Sequence, residues 1–283
     1  MKVRFWGVRG TIPVPGPETV KIGGNTSCVD LFTSDQQIII LDAGTGIRQL
    51  GQTLVKEHPN RITGTILFSH THWDHIQGFP FFAPAFERHN RFVVVGQRKI
   101  NQTLRGVLQG QFIEPYLPFQ YDQMNADFLE KEITIDGERI IVGDDTSVVA
   151  RHLDHPGGCL GYRIDNRGTV VTYCTDTFHP DNDLVENVVL LAQDADLLIH
   201  DAHFTPAKKQ LYLHYGHCSW LDAARVAREA NVKTLALFHH DPDSSDADLF
   251  EYLKEVRDIF PRSILAREGL ELNLPLISDD LPE

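Results

Sequence analysis

The sequence predicts an α/β protein in which layered, mixed β-sheets are covered by helices. Short runs rich in Val, Ile, Leu, Phe and Thr recur along the chain, punctuated by Gly, Asn or Asp, as strands are. Helical periodicity appears between only some of them, so strict βαβ alternation is excluded. Most of the histidines follow directly on the strand-like runs.

In chain order the expected strands are KVRFWGV (2–8), SCVDLFT (27–33), QIIILDA (37–43), GTILFSH (64–70), RFVVVG (91–96), SVVARHL (147–153), LGYRID (160–165), GTVVTYCTD (168–176), DLLIHDA (196–202) and TLALFHH (234–240). Apolar residues at helical spacing predict helices over 45–58, 220–232 and 246–260. Residues 79–132 mix an aromatic, Pro-broken stretch, a helix-like KINQTLRGVLQGQF and a Pro- and Tyr-rich EPYLPFQYDQM. They are expected to form a helical and loop insertion beside the site, within one domain spanning 1–283. The acidic tail SDDLPE is expected to fray.

Composition narrows the function. A net charge of −13 disfavours non-specific binding of long nucleic acid, whose phosphates such a chain repels. The argument does not extend to a small anion at a metal site, where bound cations dominate the local field. The four cysteines are widely spaced without a CxxC pair, which suits free thiols in a reducing compartment. MKVRFWGVRG carries no apolar run of signal-peptide length, and no stretch is apolar for long enough to span a membrane. A soluble, cytoplasmic protein is expected.

The strongest chemical signal is Ser69-His70-Thr71-His72-Trp73-Asp74-His75, directly after the strand TILF. Three imidazoles and a carboxylate at i, i+2, i+4 and i+5 cannot share one helix face. They suit a loop leaving a strand and supply donors of the kind that hold zinc, manganese or iron. Other strand ends carry Asp42, His152 and His155, Asp176, then His200, Asp201 and His203, and finally His239 and His240. Ligands gather at strand carboxyl ends in α/β folds, so the recurrence itself is informative.

HTHWDH (70–75) resembles the HxHxDH motif of the metallo-β-lactamase superfamily. Asp42 in LDAG, His155, Asp176 and His239 follow the family's order, and the resemblance covers about residues 1–243. It implies a four-layer αβ/βα sandwich with the site along one edge. It also implies two divalent ions, zinc being expected and manganese or iron suited by the same donors. His70, His72 and His155 would hold the first ion and Asp74, His75 and His239 the second. Asp176 would bridge, and Asp42 would support from behind. His152 and His240 stand as alternatives to His155 and His239. Members of the superfamily often form homodimers.

LLIHDAHFT and YGHCSWLDAARVA resemble the HEATF and GHST segments of ribonuclease Z. That resemblance gives His217 a catalytic part near the leaving group, beside Asp74, which would orient the attacking water. The chain departs from ribonuclease Z between His155 and Asp176, where no basic, Gly/Pro-rich arm is present. The opening GVRGTIPVPGPETVKIGGNTSCVDL and closing LFHHDPDSSD resemble bacterial phosphodiesterases of the fold. The implied function is a dinuclear metal-dependent hydrolase acting on small phosphodiesters such as cyclic nucleotides. An ester, thioester or lactam hydrolase on the same metals, and a non-catalytic ligand sensor, are the alternatives. Weaker candidates for substrate contact are Asn25, Thr26, Ser27, Lys208, Lys209, Phe81, Phe82 and Phe86, with Cys218 a remote nucleophile.

Overall fold

The computed structural model describes residues 1–180 and 183–276, so the SDDLPE tail lies outside the described residues. The first sheet takes β1 (Lys2–Gly7), β2 (Cys28–Phe32), β3 (Ile38–Leu41), β4 (Thr63–Leu67), β5 (Arg91–Gln97) and β6 (Asp127–Ile133). The second takes β7 (Glu138–Val142), β8 (Thr146–Leu153), β9 (Cys159–Asn166), β10 (Thr169–Cys174), β11 (Leu197–Asp201), β12 (Leu235–Phe238) and β13 (Ser263–Leu265). The last strand, β14 (Glu271–Asn273), returns to pair with β1. The orders are β14-β1-β2-β3-β4-β5-β6 and β13-β12-β11-β10-β9-β8-β7.

The two sheets repeat one plan. Antiparallel pairing runs from β14 to β3 and from β7 to β10. Parallel pairing then runs from β3 to β6 and from β10 to β13. The central parallel strands are the apolar ones: Ile38–Leu41 and Leu197–Asp201 are buried throughout, as strands covered on both faces must be. In β1, burial alternates along KVRFWG, so Val3 and Phe5 face inward while Arg4 reaches out to Asp30 and Glu57.

Residues from both sheets meet in one core, Val3, Phe5, Leu31 and Leu67 with Val148, Tyr162, Ile199 and Leu237. Tyr162, fully buried, donates its hydroxyl across the interface to the Phe68 carbonyl at 2.6 Å, satisfying a polar atom that the core would otherwise strand. Outside the second sheet lie α4 (Glu186–Ala192), α6 (Trp220–Glu229) and α7 (Asp246–Ile259). The last two start on reciprocal Ser–Asp caps, Ser219 with Asp222 and Ser245 with Asp248, which satisfy amides at each helix start. Outside the first sheet, α1 (Ile47–Glu57) and α3 (Leu104–Gln109) cover a separate cluster with Ile40, Phe68, Phe82 and Phe92. The result is the four-layer αβ/βα sandwich.

Residues 79–132 lay down β5 and β6 as well as α3 and several 3₁₀ turns. β6, DFLEKEI, is an edge strand, so its half-exposed face tolerates the charges that hide it from sequence reading. Among the described residues no helix is long and apolar enough to cross a membrane.

Candidate metal centre

The parallel strands end on one edge, and the turns that follow deliver the polar side chains. Asp42 follows β3, Ser69 and His70 follow β4, Asp176 follows β10 and His239 follows β12. α2 (Trp73–Ile76) is a single turn that carries Asp74 and His75 inward. Asp42, Asp176 and His239 all have positive φ, at 58°, 48° and 58°. Thr11, whose amide donates to Asp74 Oδ2 at 2.8 Å, has φ 65°. Left-handed backbone at a non-glycine residue costs energy, and strained residues of this kind gather at functional sites.

Two donor sets meet at Asp176. On one side, His155 Nε2 lies 3.1 Å from His72 Nδ1, and Asp176 Oδ2 lies 3.8 Å from both His70 Nε2 and His155 Nε2. On the other side, His75 Nε2 is 3.2 Å from His239 Nε2, from Asp74 Oδ2 and from Asp176 Oδ1. His239 Nε2 is 3.1 Å from Asp74 Oδ2 and 3.3 Å from Asp176 Oδ1. Donors placed about 2.0 Å from a tetrahedral ion stand roughly 3.3 Å apart, so the second set already has the edge lengths of a coordination shell.

Three of the outer nitrogens, those of His70, His75 and His155, are fixed in the way a metal requires. His75 Nδ1 donates to Asp42 Oδ2 at 2.8 Å, and His155 Nδ1 to the Gly216 carbonyl at 2.9 Å. Ser69 Oγ gives its proton to Asp42 Oδ2 at 2.7 Å and accepts from His70 Nδ1 at 3.1 Å. In the neutral ring, each assignment leaves a lone pair on the inner Nε2. His70 Nε2 is buried and, among the described residues, has no hydrogen-bond partner. A buried polar atom is costly to leave unmet, so its vacancy fits a metal ligand.

Electrostatics agree. Burial, then neighbouring imidazoles, hold His70 well below its ordinary range; burial likewise lowers His72 and His155, keeping the three neutral. Burial opposes ionisation of Asp74 and Asp176, but the surrounding imidazoles prevail and hold both carboxyls well below theirs. Burial also opposes charge on His75, yet Asp74, Asp176 and Asp42 raise it well above the usual imidazole value. The cluster thus holds positive charge between ionised carboxylates, which a bound cation would supply in place of that proton.

Beside this cluster, His217 Nδ1 meets Asp201 Oδ2 at 2.8 Å, and its ring stacks on His203 at 4.4 Å. Burial would lower the imidazole, but Asp201 overrides it and raises His217 to about 9. His203 donates from Nδ1 to the His239 carbonyl at 2.9 Å. Gly10 closes the floor: a Cβ there would stand 2.5 Å from the His239 ring and 2.8 Å from His203. Sequence reading placed Asp201 and His203 at a strand end without roles. It did not reach Gly10 or Thr11, whose parts depend on folding the first turn against β12.

Other candidates lie elsewhere. His152 is 3.4 Å from the Gln97 amide, and His240 donates to the Ala266 carbonyl at 2.9 Å. Lys208 pairs with Asp241 and Asp243, and Lys209 is buried against Asp222 at 2.9 Å. Asn25 is tied to Glu268 at 2.9 Å, and the Thr26 hydroxyl accepts from the Thr45 amide at 2.9 Å; Ser27 is buried. Phe82 is core and Phe86 packs against that core, whereas Phe81 is half exposed. Cys218 is buried, and burial followed by the Asp201 charge pushes its thiol well above the ordinary range, against a nucleophile's part.

His179, His200 and Cys218 form a second gathering of metal-type donors. Here one choice of tautomers satisfies both rings. The Val185 amide donates to His179 Nδ1 at 3.1 Å, His179 Nε2 donates to His200 Nε2 at 3.4 Å, and His200 Nδ1 donates to the Asp201 carbonyl at 2.8 Å. Cys218 Sγ has the same carbonyl at 3.1 Å.

Known proteins place the chain. Residues 37–240 match the family model described as Beta-lactamase superfamily domain. Ribonuclease Z of Archaeoglobus fulgidus is 27% identical over 96% of this chain and 97% of its own. The metallo-beta-lactamase fold protein YhfI from Bacillus subtilis superposes with a TM-score of 0.70 at 21% identity, covering 96% of this chain and 98% of its own. The short form of human tRNase Z gives 0.69 at 19%, covering 98% and 100%. The chain belongs to the metallo-β-lactamase superfamily.

Proposed function

We propose that the chain is a dinuclear metal-dependent phosphodiesterase acting on small phosphodiesters such as cyclic nucleotides. The observation that carries this reading is the Asp176 carboxylate, with Oδ2 toward His70 and His155 and Oδ1 toward His75 and His239. One ion would be held by His70, His72 and His155, the other by Asp74, His75 and His239, with Asp176 shared. Divalent ions in those positions would supply activation of water and neutralisation of charge on the phosphate.

The protein's own groups do the rest. Asp42 and Ser69 orient His75 and His70. Thr11 fixes Asp74, which would orient the attacking water. Asp201, paired with His217 at 2.8 Å, favours the protonated imidazole, so His217 would deliver a proton to the departing oxygen. The net charge of −13 supports a small substrate over a long nucleic acid.

The test is metal-stripped protein resupplied with zinc, manganese or iron. It is offered bis-p-nitrophenyl phosphate and cyclic nucleotides against a thioester and nitrocefin. Turnover confined to the phosphodiesters is expected. Cleavage of the thioester or lactam with the phosphodiesters untouched would overturn the reading, as would bound metal with no turnover of any of them.

A further inference from the structure

A groove of about 770 Å³ opens beside His70 and His72, and its far wall comes from the turn after β5. That wall carries Arg98 and Lys99 with the carboxamides of Gln97, Asn101 and Gln102, and no Asp or Glu lines the groove. In a chain with a net charge of −13, this groove is lined by two cations and, among the described residues, by no carboxylate.

Lys99 is held in an unusual way. Its ammonium contacts the Gly157 carbonyl, Gln97 Oε1 at 2.8 Å and the Gly158 carbonyl at 3.3 Å. All three partners are neutral, so the charge is fixed in place and cancelled by none of them. Burial, the largest influence on it, lowers the Lys99 ammonium from its ordinary value. Arg98 keeps its guanidinium at the rim, two-thirds exposed and 4.0 Å from Glu132. The loop that Lys99 grips follows His155, and a Cβ on Gly157 would come within 3.9 Å of His72 Nε2. The unneutralised charge therefore sits one turn from the metal donors. A strut for the Gly157–Gly158 turn would explain the hydrogen bonds. It would not explain the neighbouring arginine, the carboxamides or the absence of acids along the groove.

We infer that this groove is a second-anion subsite: it takes a phosphate carried by the substrate beyond the bond that is cleaved, with Lys99 as its fixed counter-charge and Arg98 at its mouth. The inference rests on the phosphodiesterase reading and narrows its substrate class to nucleotide-type phosphodiesters bearing a further phosphate. The 3.3 Å contact to Gly158 is the one an incoming phosphate oxygen would replace.

The experiment uses metal-loaded full-length protein. KM is measured for thymidylyl-thymidine and for the same dinucleotide phosphorylated at its 5′ or its 3′ end, with bis-p-nitrophenyl phosphate as a check of phosphodiesterase activity. One phosphorylated form is expected to have a KM about ten-fold lower than the unphosphorylated dinucleotide, as a charge-assisted contact gives. Lys99→Met should shrink that preference to below about two-fold, Lys99→Arg should retain most of it, and Arg98→Gln should reduce it about three-fold. Equal KM for all three dinucleotides, with bis-p-nitrophenyl phosphate turned over, removes the subsite and leaves the phosphodiesterase reading standing. No turnover of any phosphodiester removes both. A preference that survives both Lys99→Met and Arg98→Gln assigns the phosphate elsewhere and overturns the inference.

Discussion

Two groups of buried histidines lie close together in this molecule and differ in one respect. At the strand ends, His70, His75 and His155 use their outer nitrogens on Ser69, Asp42 and Gly216, and their inner nitrogens face ionised carboxylates. Behind them, His179 and His200 close their hydrogen bonds on each other and on backbone groups. Residue type does not separate the groups, since both offer metal-type donors. The account of lone pairs does. The second cluster closes its bonds on itself and on backbone, as a structural core does; in the first, His70 Nε2 is left unmet and the rings converge on shared carboxylates, as a candidate metal site's would.

Asp176→Ala attacks the contrast most severely. It removes an oxygen from both donor sets, so metal content should fall and phosphodiester turnover should drop on the order of 10³-fold or more. Metal analysis and steady-state rates check this. His217→Ala leaves both donor sets whole, so metal content should hold while the rate falls about 10²–10⁴-fold. If metal is lost as well, His217 belongs to the first group and its assigned part is wrong. Asp42→Asn weakens the support behind His75, and metal affinity, read by competition with a chelator, should fall about 10–100-fold.

His179→Gln strikes the other group. Metal content should not change, whereas stability in urea should fall by about 1–3 kcal/mol through the broken buried chain. Acid gives the smallest and most selective effect. Burial, reinforced by His200, depresses His179 to about 3, below the roughly 6.5 of an unfolded imidazole. The unfolded chain therefore takes up the proton first. This contribution to stability is whole above about pH 6.5 and is lost as pH falls toward 3. Between pH 7 and pH 5 it amounts to about 2 kcal/mol. The metal-free wild type should lose that much more stability over the interval than His179→Gln does, and equal losses would contradict the assignment.

Much of the site was legible because its chemistry is local in sequence. HTHWDH puts four donors into six consecutive positions, and strand-end residues such as Asp42 and Asp176 stand out after apolar runs. What was hidden depends on contacts between distant segments. Asp201 and His217 meet across the α5 (Pro206–Leu211) region, Gly10 is required only because His239 folds over it, and Lys99 reaches the Gly157 turn from the other sheet. The choices between His155 and His152, and between His239 and His240, could not be made from spacing. Neighbours at a strand end point to opposite sides, and which side faces the edge depends on register. Strand β6 escaped reading because its edge position lets charges replace the apolar pattern.

The most direct test of the account is anomalous diffraction from crystals of the zinc-loaded protein. Two peaks are expected, one on each side of the Asp176 carboxylate, with none between His179, His200 and Cys218. A peak at that second gathering, or density for no ion beside Asp176 in zinc-saturated crystals, would contradict it.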